Sequence, residues 1–133
     1  MNLPPELIEK IKSHLNDSSL TRDDIESLLL CSSDGHEIAS ANYRGSAIEP
    51  TQLSAMAASF AGLSLTIATT CGKKDALGGI VETADGLIIF GLINTTETDY
   101  VLLGIFAKGV QHGLALWSFR NQLAGFQNLL DSN

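Results

Sequence analysis

A single domain that mixes helices and strands, α/β or α+β, follows from three features of the sequence. Its 133 residues are the length of one ordinary domain, roughly 100–150 residues. Apolar positions recur at helical spacing in three segments, with short strand-like apolar runs between them. Two Asp-Gly pairs, Asp34-Gly35 and Asp85-Gly86, each separate two of those runs. That pair favours tight hairpin turns because both residues tolerate positive φ. No linker, low-complexity tract or solenoid-period repeat divides the chain, so residues 1–133 read as one domain.

The first helix is expected over about 5–15. Leu7, Ile8, Ile11 and Leu15 share one side behind Pro4 and Pro5, and proline is tolerated where a helix starts. Asn16-Asp17-Ser18-Ser19 ends it with turn chemistry. Thr21 and Asp24 resemble a capping pair, so a single turn is expected before the first strand. Ile25 to Ser32 is that strand, and after Asp34-Gly35 the segment Glu37 to Ala41 returns as the second. From Pro50, the residues Leu53, Met56, Phe60, Leu63 and Ile67 recur at intervals of three and four, which makes one face of a second helix. Gly79 to Ala84, Asp85-Gly86 and Leu87 to Ile93 form a second hairpin. After the polar run Asn94 to Asp99, Tyr100 to Phe106 completes a three-stranded meander and brings the count to five strands. The last helix spans about 111–130 on a stripe of Leu116, Phe119, Leu123, Phe126 and Leu130, with Trp117 one step off it. The order is therefore α-β-β-α-β-β-β-α.

Composition narrows the function classes. Apolar residues are 44% and charged residues 17% of the chain, which excludes a disordered protein. Eight Lys and Arg against fifteen Asp and Glu give a formal charge of −7, disfavouring nucleic acid and anionic membrane surfaces as partners. The longest unbroken apolar or glycine run, Gly86 to Ile93, is far short of the ~18 residues of a membrane span. Met1 to Glu6 lacks the basic start and apolar run of a secretory leader, and two cysteines make no disulfide framework. A cytoplasmic protein is the expectation.

No catalytic constellation emerges, and no cofactor or metal is expected. Gly72-Lys73-Lys74 lacks the spacing of a phosphate loop and reads as a solvated connection. Gly91, Gly104, Gly109 and Gly113 are too scattered for a dinucleotide fingerprint and read as strand and turn glycines. His14, His36 and His112 have no second ligand at metal spacing and read as surface or helix-end residues. Cys31 reads as a small core residue. Cys71, beside Gly72 and two lysines, has no base or resolving thiol placed near it, so an enzyme with Cys71 as nucleophile is the weakest reading. Arg44, in a loop after the second strand, and Arg120, on the last helix, are the arginines an interaction with a GTPase would draw on. Single surface arginines are common, however, and neither is favoured as an inserted finger.

The second helix is the anomaly. Between Leu53 and Ser64, every position other than Met56, Phe60 and Leu63 is Ala, Ser or Gly. Packing on the helix's own sheet accounts for the Leu53/Met56/Phe60/Leu63/Ile67 face but not for an uncharged opposite side. Cover on more than one side, through self-association, is the favoured account.

These residues carry a resemblance. Leu28-Leu29-Leu30-Cys31-Ser32-Ser33-Asp34-Gly35, then Leu53-Ser54-Ala55-Met56-Ala57-Ala58-Ser59-Phe60, then Val81-Glu82-Thr83-Ala84-Asp85-Gly86-Leu87-Ile88-Ile89 and Val101-Leu102-Leu103-Gly104-Ile105-Phe106 resemble the Roadblock / dynein light chain family. The similarity covers about 25–130, and the first helix fits as well. The polar insertion Asn16 to Asp24 departs from the simplest members and bears on how the first helix packs. The resemblance implies an α/β sandwich related to the profilin and longin folds. Its five-stranded antiparallel sheet carries one helix on one face and two on the other. It also implies a dimer in which third strands pair edge to edge and second helices lie side by side. Carried over, Gly79, Ile80, Val81, Glu82 and Thr83 form the pairing edge, with Leu53, Met56, Ala57, Phe60 and Ala61 at or near the helical contact.

Bacterial relatives implied by the same resemblance are partners of Ras-like small GTPases in motility and polarity control, and eukaryotic ones are dynein light chains and scaffold subunits. The expected function is therefore a non-enzymatic homodimeric regulator or scaffold that binds a small GTPase or a larger assembly and modulates GTP hydrolysis. The alternative is a profilin-like sensor holding a small apolar ligand between sheet and helix, which requires a pocket of several hundred Å³. Leu, Ile, Phe and Trp are abundant enough to fill that space, which disfavours the sensor.

Overall fold

The computed structural model describes residues 3–17, 25–44 and 48–132. Its elements are α1 (Pro5–Leu15), β1 (Ile25–Ser32), β2 (Glu37–Asn42), α2 (Pro50–Thr70), β3 (Gly78–Thr83), β4 (Gly86–Asn94), β5 (Asp99–Ala107) and α3 (His112–Asp131). The expected order stands, with bounds within a residue or two. The turn at Ser18-Ser19, the Thr21/Asp24 cap and the Gly45-Ser46 end of the loop after β2 lie outside the described residues.

The strands form one antiparallel sheet in the order β2-β1-β5-β4-β3. Its central strands are buried on both faces, so β1 and β5 read as unbroken apolar runs rather than as alternation. Period-two geometry still sorts their side chains. Leu28, Leu30, Ile89, Leu102 and Phe106 pack under α1 and α3, whereas Leu29, Cys31, Phe90, Val101 and Leu103 pack under α2.

Both hairpins differ in detail from the sequence expectation. Asp34-Gly35 sits inside a longer loop, Ser33 to His36. Gly35 there takes φ 95°, and Ser32 Oγ donates to the Asp34 carboxylate and accepts the His36 N–H at 3.1 Å. The hydrogen bond from Ser32 also holds the Asp34 carboxyl below its usual range. In the second hairpin the two-residue turn is Ala84-Asp85, because Thr83 pairs with Gly86 and Gly86 already belongs to β4. Its φ is 145°, and a Cβ there would run into the backbone of Phe106 on β5, so this position admits only glycine. Gly113, expected in a turn or strand, lies instead in the first turn of α3.

His14 stands in the last turn of α1, as expected of a helix-end residue, and is half-buried. Its ring meets Phe126 of α3 edge-on at 4.6 Å with its Nε2 buried, and only a glycine at 125 leaves room for it. A second tie fastens the same end of α1, where the Tyr43 hydroxyl just beyond β2 donates to the Leu15 carbonyl at 2.6 Å. Burial pushes this phenol up from 10.0 to about 12, and burial pushes the Cys31 thiol up from 9.0 to about 11. The unfolded chain therefore releases both protons first. Below pH 9 neither group penalises the fold, and stability falls as pH rises through the window between the unfolded and folded values. Tyr43→Phe should cost about 1 kcal/mol in urea unfolding at neutral pH and flatten the upper part of the alkaline decline. An unchanged alkaline profile would remove the Tyr43–Leu15 bond from this account.

Candidate interaction surface

The side chain of Glu49 accepts the Thr51 N–H at 3.1 Å and caps α2, and Pro50 opens its first turn. No charged residue occurs in Pro50–Thr70. The helix seats on the sheet through small residues. Ser54, Ala57 and Ala61 are buried, Leu53 and Phe60 flank them, and the Cys31 thiol donates to the Ser54 carbonyl at 3.8 Å. Phe60 stacks on Phe90 at 4.3 Å and stands over Gly79, where no side chain obstructs it.

This orientation corrects the sequence expectation for the helix. The Leu53/Met56/Phe60/Leu63/Ile67 line does not face the sheet as a whole. Met56, Leu63 and Ile67 are 58%, 57% and 54% exposed, on the flank that Phe60 turns toward β3. Small residues let α2 lie close to the strands, and that rotates the bulky line outward. Two residues expected at a dimer contact, Ala57 and Ala61, are consumed by the helix's own seat. The polar residues of α2 add little polarity, since the hydroxyls of Ser64, Thr66, Thr69 and Thr70 donate to carbonyls one turn back at 2.8–3.1 Å.

Beside this flank lies β3, the last strand of the sheet, with one side of its backbone unpaired by any described strand. Gly79, Val81 and Thr83 share its α2 side. Gly78, Ile80 and Glu82 share the other, where Ile80 is 40% exposed and Glu82 lies 3.2 Å from His112. The exposed flank and the open edge are contiguous through Phe60 and Gly79.

The other residues singled out in the sequence do not converge. Cys31 is buried, Cys71 is exposed at the end of α2, and Lys73 and Lys74 lie in an exposed loop. His36 is exposed, Arg44 follows β2, and Arg120 is exposed on α3. Among the described residues no three His, Cys, Asp or Glu side chains gather into a metal-binding group. Leu65, Leu77, Leu114 and Trp117 are exposed as well and were not singled out as surface; for Trp117 the signal was its place one step off the apolar stripe. A cleft of about 510 Å³ opens where α3 leaves β3 uncovered, and a hollow of about 390 Å³ lies between the end of α1 and β2. By length and composition α2 also passes for a membrane span, with a mean hydropathy of 1.4 and 17% of that window buried. Counting unbroken apolar runs missed this, because Ala, Ser, Gly and Thr interrupt the run without adding charge. Leaving the sheet to enter a bilayer would uncover Leu29, Cys31, Val101 and Leu103, which argues for a surface helix.

No family model and no curated protein matches the chain. Solved structures do. MglB of Myxococcus xanthus superposes with a TM-score of 0.82 at 20% identity, covering 99% of this chain and 96% of that one. The gliding protein MglB of Thermus thermophilus gives 0.78 at 13% identity over 98% and 96%. A Roadblock/LC7 domain from Streptomyces avermitilis gives 0.65 at 14% identity over 80% and 86%. The chain has the fold of these proteins.

The two sides of α2 should respond differently to charge. Ala57→Glu buries a carboxylate against Leu29 and Leu103 and should cost more than about 3 kcal/mol or abolish folding, whereas Met56→Glu should keep the native circular dichroism spectrum. Equal damage from both would refute the assigned orientation. A thiol reagent at neutral pH should label Cys71 quickly and Cys31 only on unfolding.

Proposed function

We propose that this protein is a cytoplasmic, non-enzymatic homodimer that binds a Ras-like small GTPase and modulates its GTP hydrolysis by acting on the switch loops. The observation that carries the proposal is the contiguity of the exposed apolar flank of α2 with the open edge of β3. Exposed bulky apolar residues beside a row of unpaired backbone groups make an aggregation hazard in a monomer, and pairing with a second copy removes both liabilities together. The pairing uses the backbone of Gly79, Ile80, Val81, Glu82 and Thr83, and the side chains of Met56, Leu63 and Ile67, with Leu53 and Phe60 at the margin. Ala57 and Ala61 support it from beneath.

The GTPase reading is supported by the resemblance to the Roadblock / dynein light chain family and by a fold shared with MglB, one example of which is described with a tetrameric arrangement. In this reading the protein positions its partner and supplies no catalytic residue.

Light scattering should find a dimer for the wild-type chain and a folded monomer for Met56→Glu with Leu63→Glu; a variant that remains dimeric would move the interface off α2. A pull-down from the native lysate, run in parallel with GDP and a non-hydrolysable GTP analogue, should recover a Ras-like GTPase in one nucleotide state. Recovery of none in either state would leave a scaffold for another assembly.

A further inference from the structure

The cleft of about 510 Å³ lies on the sheet face opposite α2, apart from the helix flank, and shares Gly79 and Ile80 with the strand edge just described. Its form follows from glycine. Gly78 and Gly91 are cross-strand partners, so two neighbouring positions on this face carry no side chain. Phe119 and Leu123 of α3 settle onto Gly91, while Gly78, at φ 158°, lies so close to the Phe90 carbonyl that a Cβ would run into it. Leu77 and Ile80, 70% and 40% exposed, stand on the β3 side, and Leu116 and Leu123 stand on the α3 side.

Arg120 is the one charged residue among the described residues lining the cleft. It shares a side of α3 with Leu116 and Leu123, one turn from each, and makes no ion pair among the described residues. Glu82, on the same face of β3 as Gly78 and Ile80, lies against His112 instead. A site of a few hundred Å³ with apolar walls and a polar group to orient the ligand is the usual form of a small-ligand pocket.

We propose that this cleft binds a single-chain, medium-length carboxylate, with its hydrocarbon tail over Gly78 and its head group on Arg120. Three arguments select that chemistry. A hydrocarbon tail matches walls whose side chains, Leu77, Ile80, Leu116 and Leu123, are apolar. The Leu77 carbonyl at the rim is already taken by the Leu92 N–H at 3.0 Å. One guanidinium matches one carboxylate in two parallel hydrogen bonds, whereas a doubly charged phosphate would be left under-neutralised in a chain of net charge −7.

Trp117, the chain's one tryptophan, lies one turn from Arg120 and reports on the cleft by fluorescence. The full chain is titrated with decanoate, decanol and butyrate below micellar concentrations, with backbone amide spectra recorded in parallel. Decanoate should bind saturably and shift the amides of Ile80, Leu116 and Arg120. Decanol should bind about tenfold more weakly, and each methylene removed from the acid should weaken binding about two- to fourfold. Arg120→Gln should reduce decanoate to the affinity of decanol, and Arg120→Lys should recover part of the loss. Equal binding of acid and alcohol, or no effect of Arg120→Gln, would overturn the assignment. So would shifts of the Leu116 and Arg120 amides that follow protein concentration without ligand, since those residues lie outside the pairing edge and a second copy would then be the occupant. Ile80 belongs to both the cleft and the proposed pairing edge, whereas Arg120 lies outside that edge, so Met56→Glu should keep the preference for decanoate over decanol.

Discussion

The close seat of α2 on the sheet is the constraint from which the surface of this protein follows. Ser54, Ala57 and Ala61 have almost no side chain to place between helix and strands, so the backbone comes down onto Leu29, Cys31 and Leu103. Close packing is favourable only if nothing bulky intervenes, and Met56, Leu63 and Ile67 are therefore turned outward. An interior requirement thus creates an exterior one: an apolar flank that water does not favour. The open edge of β3 next to it compounds the same problem, and in the proposed dimer both are answered by one event, the arrival of a second apolar surface with a strand edge of its own.

Much of this was legible in the sequence because the relevant physics is local. Helical spacing in 5–15 and 111–130, two Asp-Gly turns and three later apolar runs each act over a few residues. Together they leave little freedom in element order. The orientation of α2 was not legible. Periodicity identifies which residues share a face, and Leu53, Met56, Phe60, Leu63 and Ile67 do share a broad one. It does not say whether the bulky face or the small one meets the sheet, because that depends on how near the helix can approach. The contact that half-buries His14 was not legible for a similar reason: it depends on a glycine more than a hundred residues later, at 125, which no local pattern connects to it.

Glycine performs different tasks at different positions. Gly86 yields to the backbone of β5, Gly79 to the ring of Phe60, and Gly91 to Phe119 and Leu123. In each case a missing side chain lets a neighbour come closer. Gly78 likewise yields to the Phe90 carbonyl of β4, and beside it a cleft with an arginine at its side remains. The two faces of the sheet consequently differ in character, one carrying a broad apolar surface suited to another protein and the other a narrow hollow suited to a small molecule.

The pairing of β1 has a bearing on how the chain is made. Its residues meet β2 within one hairpin, but on the other side Leu29 and Leu30 meet Leu103 and Leu102 of β5, which emerge from the ribosome much later. Until then α2, uncharged along its whole length, has been synthesised without most of its seat, because Phe90, Val101 and Leu103 do not yet exist. Assembly of the sheet is thus a late, non-local event, and the nascent chain carries its most water-averse segment unprotected for a large part of its synthesis. Slower translation would lengthen that interval, so this fold should depend on chaperone cover during synthesis more than its modest size suggests.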